Sequence, residues 1–163
     1  MLRGVMNEQP ALWSDSASVE IAAPPEAVWE LVADVTRMGE WSPVCHRCEW
    51  TGGARGPEIG ARFVGHNRLR GARWSRECEV TAAEPGREFA FRTLFRGRES
   101  TRWRYRFEPV DGGTRVTESY EAVSLPPWLK VLYLLPGSRG QALRDGRRNM
   151  SESLRRLKAG AEA

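Results

Sequence analysis

A few polar side chains in this sequence combine useful chemistry with a position that strand alternation directs toward the interior. Alternation along the later strands points Asn67, Arg76 and Glu118 inward. The C-terminal helical stretch adds Arg147 or Asn149 to this set. Because a buried charge requires a partner, one interpretation is an internal salt bridge between Arg76 and Glu118. The other is that they orient a ligand or act as acid and base, which makes Glu118 and Arg76 the candidate catalytic residues.

A second group with possible chemistry is Cys45-His46-Arg47-Cys48, whose cysteine spacing is that of zinc knuckles and redox pairs. His66 and Cys78 could complete four ligands, but structural zinc sites usually contain two close-spaced ligand pairs, and these two residues stand alone. The segment also precedes a strand, not a helix whose N-terminus would lower a thiol pKa. We therefore predict no metal site and no cofactor, with one cysteine in a loop and one half-buried in a strand.

Motifs of several enzyme classes do not occur in the sequence. The glycine-rich stretch 51–60 lacks the Gly-Lys-Ser/Thr ending of a phosphate-binding loop, so we interpret it as a hairpin loop. Neither a GxSxG nor an HExxH motif is present, and two histidines alone make a Ser-His-Asp hydrolase improbable.

The hydrophobic pattern predicts the elements that position these side chains. A strand near 14–23 precedes Pro24-Pro25-Glu26, which indicates the start of a helix. Period-two alternation then predicts a long antiparallel meander with strands near 46–51, 60–67, 72–83, 87–95, 99–109 and 113–122. Apolar residues at helical spacing between Leu143 and Leu157 predict a long C-terminal amphipathic helix. This order of elements is typical of an α+β domain.

Aromatic side chains dominate one face of the predicted sheet. Trp103, Tyr105 and Phe107 alternate with three arginines, so one face of that strand is apolar and shielded from solvent. Aromatic rings with a polar tip suit a ligand site, but the same rings can form a core, and we expect both in part. The candidate ligand-binding residues are Phe63, Asn67, Trp74, Phe91, Trp103, Tyr105, Phe107, Tyr120 and Met150.

The segment 125–135 is apolar but too short to cross a bilayer. Three interpretations are open: a core helix, a lid over a cavity, or a surface for a membrane or partner. We favour core or lid because the segment has no basic polar face of its own, and we expect no stable membrane insertion.

Size and composition indicate one domain. The chain has 163 residues, and we divide it into a flexible tail at 1–13 and a domain at 14–160. Its 25 basic residues are scattered rather than gathered on one stripe, which argues against a nucleic-acid partner. Three cysteines and no recognisable export signal favour a cytoplasmic protein, and the sequence leaves open a monomer or a homodimer.

Four strings occur in an order that resembles the START-like, or SRPBCC, superfamily of the polyketide cyclase/dehydrase and lipid-transport type. They are SVEIAAPPEAVWELVADVTRMGEWSP, GARF, VTAAEPGREFAF and TRWRYRFEPVDGGTRVTESYE. The resemblance covers about residues 14–160. It implies a helix-grip fold, in which a curved antiparallel sheet of about seven strands wraps around a long C-terminal helix and short helices follow the first strand.

The resemblance also implies a cavity between that helix and the sheet. Relatives use it to bind hydrophobic molecules, so we expect a hydrophobic, ring-containing small-molecule ligand. Some relatives are cyclases or dehydratases, and the alternative is therefore a cofactor-independent enzyme in which Arg76, Glu118 and Tyr105 or Tyr120 position an enolisable substrate and move its protons. Fold alone does not decide between binding and catalysis.

Overall fold

One antiparallel sheet and one long helix form most of the fold of residues 9–163, which are the residues that the computed structural model describes. The strands are β1 (Trp13–Ile21), β2 (Cys45–Thr51), β3 (Arg62–Leu69), β4 (Ala72–Glu84), β5 (Glu88–Phe95), β6 (Arg98–Val110) and β7 (Gly113–Ala122). The helices are α1 (Pro25–Ala33), α2 (Pro127–Tyr133) and α3 (Ser138–Ala161), with a 3-10 helix at Val35–Glu40.

The seven strands form a single sheet in the order β1-β7-β6-β5-β4-β3-β2, so the predicted meander from β2 to β7 is confirmed. The β3–β4 and β5–β6 hairpins each turn through two residues. Both residues of each turn have positive φ, Arg70 with Gly71 and Arg96 with Gly97, which is the geometry that matches the twist of the flanking strands. The turn at Arg70 and Gly71 sets the pairing of β3 with β4, whereas the pairing of β5 with β6 also depends on a register shift between Thr93 and Leu94.

The core occupies the end of the sheet that α1 and the last turns of α3 cover. The helix α1 buries Val28, Trp29 and Val32, and the Trp29 indole donates a hydrogen bond of 2.9 Å to the Glu88 carbonyl. The buried residues of α3 are Met150, Ser153, Leu154 and Leu157, at the spacing of one helical face. The N-terminal half of α3 therefore lies over a part of the sheet that this core does not fill. The α+β helix-grip architecture is confirmed.

The first strand begins at Trp13, and the Leu12 amide donates a hydrogen bond of 2.7 Å to the Ala122 carbonyl. Residues 1–8 of the predicted tail 1–13 lie outside the described residues. Within residues 9–163, none of the helices has both the length and the apolar character that crossing a membrane requires.

Candidate functional site

A cavity of about 510 Å³ lies between the sheet and the N-terminal half of α3. The sheet supplies inward-facing residues of β3 to β7, and α3 supplies residues from Ala142 to Ser153. One side is formed by the segment after β7, through Leu125, Pro126, Leu129 and Tyr133. The volume is within the range of about 300–1,000 Å³ that is typical of small-molecule sites.

Four aromatic rings form a continuous band across the cavity wall. Phe63 and Phe91 meet edge to face with ring centroids 5.2 Å apart. Phe91 stacks on Trp103 at 6.5 Å, and Trp103 contacts Tyr120 at 4.9 Å. The last two contacts follow from strand register, because Phe91 is opposite Trp103 and Trp103 is opposite Tyr120. The band gives the cavity an apolar wall of flat rings.

Eight of the nine candidate ligand-binding residues line this cavity, namely Phe63, Asn67, Trp74, Phe91, Trp103, Tyr105, Tyr120 and Met150. The structure places the ninth, Phe107, in the hydrophobic core with Val32, Leu154 and Leu157. Alternation alone puts Phe107 on the correct face of β6. It does not tell how far along the strand the cavity ends and the core begins.

Glu118 lies in the cavity wall and is almost completely buried, with 3% of its surface exposed. It is opposite Tyr105 in the register of β6 and β7, and the Tyr105 hydroxyl donates a hydrogen bond of 2.9 Å to Glu118 Oε1. The other oxygen, Oε2, is buried without a hydrogen-bond partner among the described residues. Burial raises the pKa of Glu118 to about 8, although the Tyr105 hydrogen bond opposes this. The side chain is therefore a neutral carboxylic acid at neutral pH.

Arg76 also lines the cavity but does not pair with Glu118. Two strands, β5 and β6, separate their strands in the sheet. The Arg76 guanidinium lies 5.3 Å from the centre of the Phe95 ring and donates a hydrogen bond of 3.4 Å to the Ser75 carbonyl. The internal salt bridge considered from the sequence is therefore absent from the described residues, and Tyr105 takes the place of Arg76 as the partner of Glu118.

The rim of the cavity carries an ion pair of which the sequence indicated Arg147 but not its partner Asp15. Arg147 on α3 donates two hydrogen bonds to the Asp15 carboxylate on β1, of 3.0 and 2.6 Å, and both residues border the cavity. The Arg147 hydrogen bond holds the pKa of Asp15 below its usual value. Asp15 shares strand parity with Val19 and Ile21, and this signal could have identified it as inward-facing. Asn149, the other helix candidate, borders the cavity and is half-buried.

Cys45 and Cys48 both belong to β2, so the expectation of a loop cysteine and a half-buried strand cysteine is wrong. Residues three apart on a regular strand face opposite ways. An irregularity in the pairing with β3, between Cys45 and Arg47, shifts the alternation by one residue. Both thiols consequently point to the inner face, are buried, and border the cavity.

The four zinc ligands considered from the sequence do not come together. His66 lies between Glu49 and Ser75, with hydrogen bonds of 2.9 and 3.0 Å. Its strand neighbour Gly65 is the residue that faces Cys45 and Cys48, so the His66 ring lies on the opposite face of the sheet from those thiols. The described part of the chain contains no group of three or more His, Cys, Asp or Glu residues that could hold a metal ion.

The apolar segment 125–135 forms α2 at the edge of the cavity. None of its helical residues is buried, so it is not a core helix. One side, with Leu129 and Tyr133, borders the cavity, and Tyr133 also contacts the Trp13 ring at 5.4 Å. The other side leaves Trp128, at 61% exposure, open to solvent together with Val131.

Known proteins similar to this chain share the architecture just described. A protein of the polyketide-cyclase-like type from Corynebacterium glutamicum, solved by NMR, is 35% identical over 89% of this chain and 88% of its own, with a TM-score of 0.57. The Zhui aromatase/cyclase from a Streptomyces species is 18% identical over 92% and 93%, with a TM-score of 0.71. The di-domain StfQ of the steffimycin pathway is 18% identical over 91% of this chain and 50% of its own, with a TM-score of 0.71. No curated protein matches the chain.

The family model described as "Polyketide cyclase / dehydrase and lipid transport" matches residues 13–162, which is nearly the whole sequence. This match confirms the START-like resemblance of the four strings. The chain belongs to the polyketide cyclase/dehydrase and lipid transport family.

Proposed function

We propose that this protein binds a hydrophobic, ring-containing small molecule in the cavity between α3 and the sheet. The observation that carries the proposal is the aromatic band from Phe63 to Tyr120 along a cavity of about 510 Å³. Flat rings gain most from stacked or edge-to-face contact with other rings, which favours a planar ligand over a flexible chain. Asn67 and the neutral Glu118 supply a few polar groups that can orient it.

The proposed ligand-binding domain is the segment 14–160, acting in the cytoplasm as a monomer or homodimer. Three free cysteines favour a reducing compartment. The N-terminal half of α3 must stay over the sheet in the monomer and in the homodimer alike, because this half forms one wall of the cavity.

A glycine in α3 allows a direct test. Gly146 borders the cavity, and a Cβ built on it meets nothing within 4 Å, so the side chain of Gly146→Phe starts in open space and should direct its ring into the cavity. Gly160 is on the same helix and also has nothing within 4 Å of a built Cβ, but it does not border the cavity. Gly160→Phe is therefore a matched control.

The probe is the fluorescent dye anilinonaphthalene sulfonate, which has fused and single aromatic rings. We expect saturable binding to the wild type and to Gly160→Phe, with quenching of tryptophan fluorescence because Trp74 and Trp103 line the cavity. Gly146→Phe should weaken binding at least tenfold. Equal dye affinity in all three proteins would place the binding outside the cavity and refute the proposal.

A second candidate function is cyclase or dehydratase chemistry, and the buried Glu118–Tyr105 pair favours it. A carboxylic acid that is neutral near pH 7 can donate its proton to a departing hydroxyl or a carbonyl oxygen, while the Tyr105 hydrogen bond stabilises the carboxylate that remains. Two strands lie between Arg76 and Glu118, so Arg76 is not the partner of Glu118, but it can orient the other end of a substrate.

Incubation with a bicyclic β-hydroxyketone tests this second function, with loss of water followed by mass spectrometry. Glu118→Gln should abolish turnover and leave binding of the compound nearly unchanged. Equal turnover in Glu118→Gln and the wild type would exclude Glu118 as the acid. If the wild type binds the compound but does not turn it over, the catalytic function is refuted and only the binding function stands.

A further inference from the structure

Two thiols lie in contact with each other in the wall of the cavity. The Sγ atoms of Cys45 and Cys48 are 3.2 Å apart. Both residues are buried, with 7% and 4% of their surfaces exposed, and both border the cavity. Since a disulfide has an S–S bond of about 2.05 Å, the two atoms need to approach by only about 1 Å to bond.

The backbone of β2 and its neighbour brings about this contact. The shift in pairing between Cys45 and Arg47 turns both cysteines to the same face, where alternation would separate them. On β3, Gly65 faces the pair, and a Cβ there would lie 3.5 Å from Cys45 Sγ and 3.6 Å from Cys48 Sγ. A longer side chain at this position would cover the thiols. Glycine leaves them open toward the cavity.

We propose that Cys45 and Cys48 are a thiol–disulfide exchange site in the cavity wall, which reacts with small, uncharged disulfides and closes into an intramolecular disulfide. This proposal follows from the geometry of the two cysteines and does not depend on which ligand the cavity binds.

The reaction takes place in two exchanges. The Cys45 thiolate attacks one sulfur of a disulfide R–S–S–R, forms the mixed disulfide Cys45–S–S–R, and releases one RS⁻. The Cys48 thiolate then attacks Cys45 Sγ, forms the Cys45–Cys48 bond, and releases the second RS⁻. The two cysteines lose two electrons and two protons, and the small disulfide is reduced to two thiols.

The surroundings of the pair favour Cys45 as the first nucleophile. The hydrogen bond between the two sulfur atoms, in which either can be the donor, lowers the pKa of Cys45, whereas the same hydrogen bond and then burial raise the pKa of Cys48. Cys78, the third thiol, also borders the cavity, but it donates a hydrogen bond of 3.7 Å to the Arg76 carbonyl, and burial raises its pKa to about 12. Cys78 is therefore expected to stay reduced and to serve as an internal control.

The test uses the full chain and hydroxyethyl disulfide, which is small enough for the cavity. After reaction, the protein is denatured in the presence of N-ethylmaleimide and its intact mass is measured. We expect one N-ethylmaleimide adduct instead of the three of the reduced protein, on a chain that is two hydrogen masses lighter, with Cys78 alkylated and Cys45 linked to Cys48 in the peptide map. Cys78→Ser should give the same bond, and Cys48→Ser should stop at a mixed disulfide on Cys45.

The wild-type measurement is decisive even if a cysteine variant does not fold. No reaction, a mixed disulfide as the only product, a bond that involves Cys78, or a bond between two chains would each overturn the proposal. Dye binding by the reduced protein is measured on the same sample. Its failure would refute the proposed ligand function and leave the disulfide result standing.

Discussion

The buried carboxyl group of Glu118 should make the stability of this protein fall as the pH rises. Its pKa is about 8 in the folded chain, against an ordinary value of 4.5, because burial disfavours the charged form. Below the ordinary value the carboxyl is protonated in both states and contributes nothing to the pH dependence. Between the two values the unfolded chain releases a proton that the folded chain retains, so unfolding becomes easier.

The size of this effect follows from the two pKa values. The free energy of unfolding should fall by about 1.4 kcal/mol per pH unit, which amounts to about 4 kcal/mol from pH about 5 to pH about 8. Glu118→Gln removes the titrating group and keeps a side chain of the same shape that can accept the Tyr105 hydrogen bond. The free energy of unfolding of Glu118→Gln should therefore lack this pH-dependent contribution.

Urea unfolding of the wild type and Glu118→Gln over that pH range measures the effect. The difference in the free energy of unfolding between the two proteins cancels the contributions of the other titrating groups. We expect the variant to gain about 4 kcal/mol relative to the wild type from the acid to the alkaline end. A difference that stays constant with pH, or that changes in the opposite direction, would refute the view that Glu118 is buried as a neutral acid.

Three further predictions concern the same region. Tyr105→Phe should lower the free energy of unfolding by about 1–3 kcal/mol, because Glu118 Oε1 loses its hydrogen-bond donor, and should raise the pKa of Glu118 further. Urea unfolding as a function of pH measures both effects, and a pH profile equal to that of the wild type would contradict the hydrogen bond. Gly146→Ala should stabilise the protein by about 0.5–1 kcal/mol, because alanine fits the open space on α3 and favours a helix; a lower midpoint in urea would mean that the space is occupied. Phe107→Ala should lower the free energy of unfolding by about 3–5 kcal/mol and leave the dye affinity unchanged, because Phe107 is in the core. Trp74→Ala should lower the stability less and weaken dye binding, because Trp74 is half-buried in the cavity wall. The opposite pattern would mean that Phe107 lines the ligand site and Trp74 belongs to the core.

The sequence was sufficient for the parts of the site that depend on periodicity. Alternation along β6 placed Trp103 and Tyr105 on one face, and the turn between β6 and β7 aligned Tyr120 with Trp103. Phe91 is opposite Trp103 only because the pairing of β5 with β6 shifts by one residue between Thr93 and Leu94, which periodicity does not show. The spacing of Met150, Leu154 and Leu157 fixed the face of α3 that meets the sheet.

The remaining features depend on contacts between strands that alternation does not encode. The partner of Glu118 is set by the register of β6 against β7, which brings Tyr105 opposite it, whereas two strands lie between Glu118 and Arg76. The pairing of Cys45 with Cys48 requires a shift in the pairing of β2 with β3, and a single inserted residue has no periodic signature. Asp15 and Arg147 meet only because α3 crosses β1 at that point.

Native mass spectrometry of the protein purified from cells, with a denatured sample for comparison, tests the central claim most directly. We predict that part of the wild-type protein and of Gly160→Phe carries a small molecule that is released on denaturation and absorbs as an aromatic compound. Gly146→Phe should have the mass of the bare chain, because its ring occupies space in the cavity that the ligand needs. An aromatic molecule bound equally to all three proteins, or bare chains that also fail to bind the dye, would contradict a ligand site between α3 and the sheet.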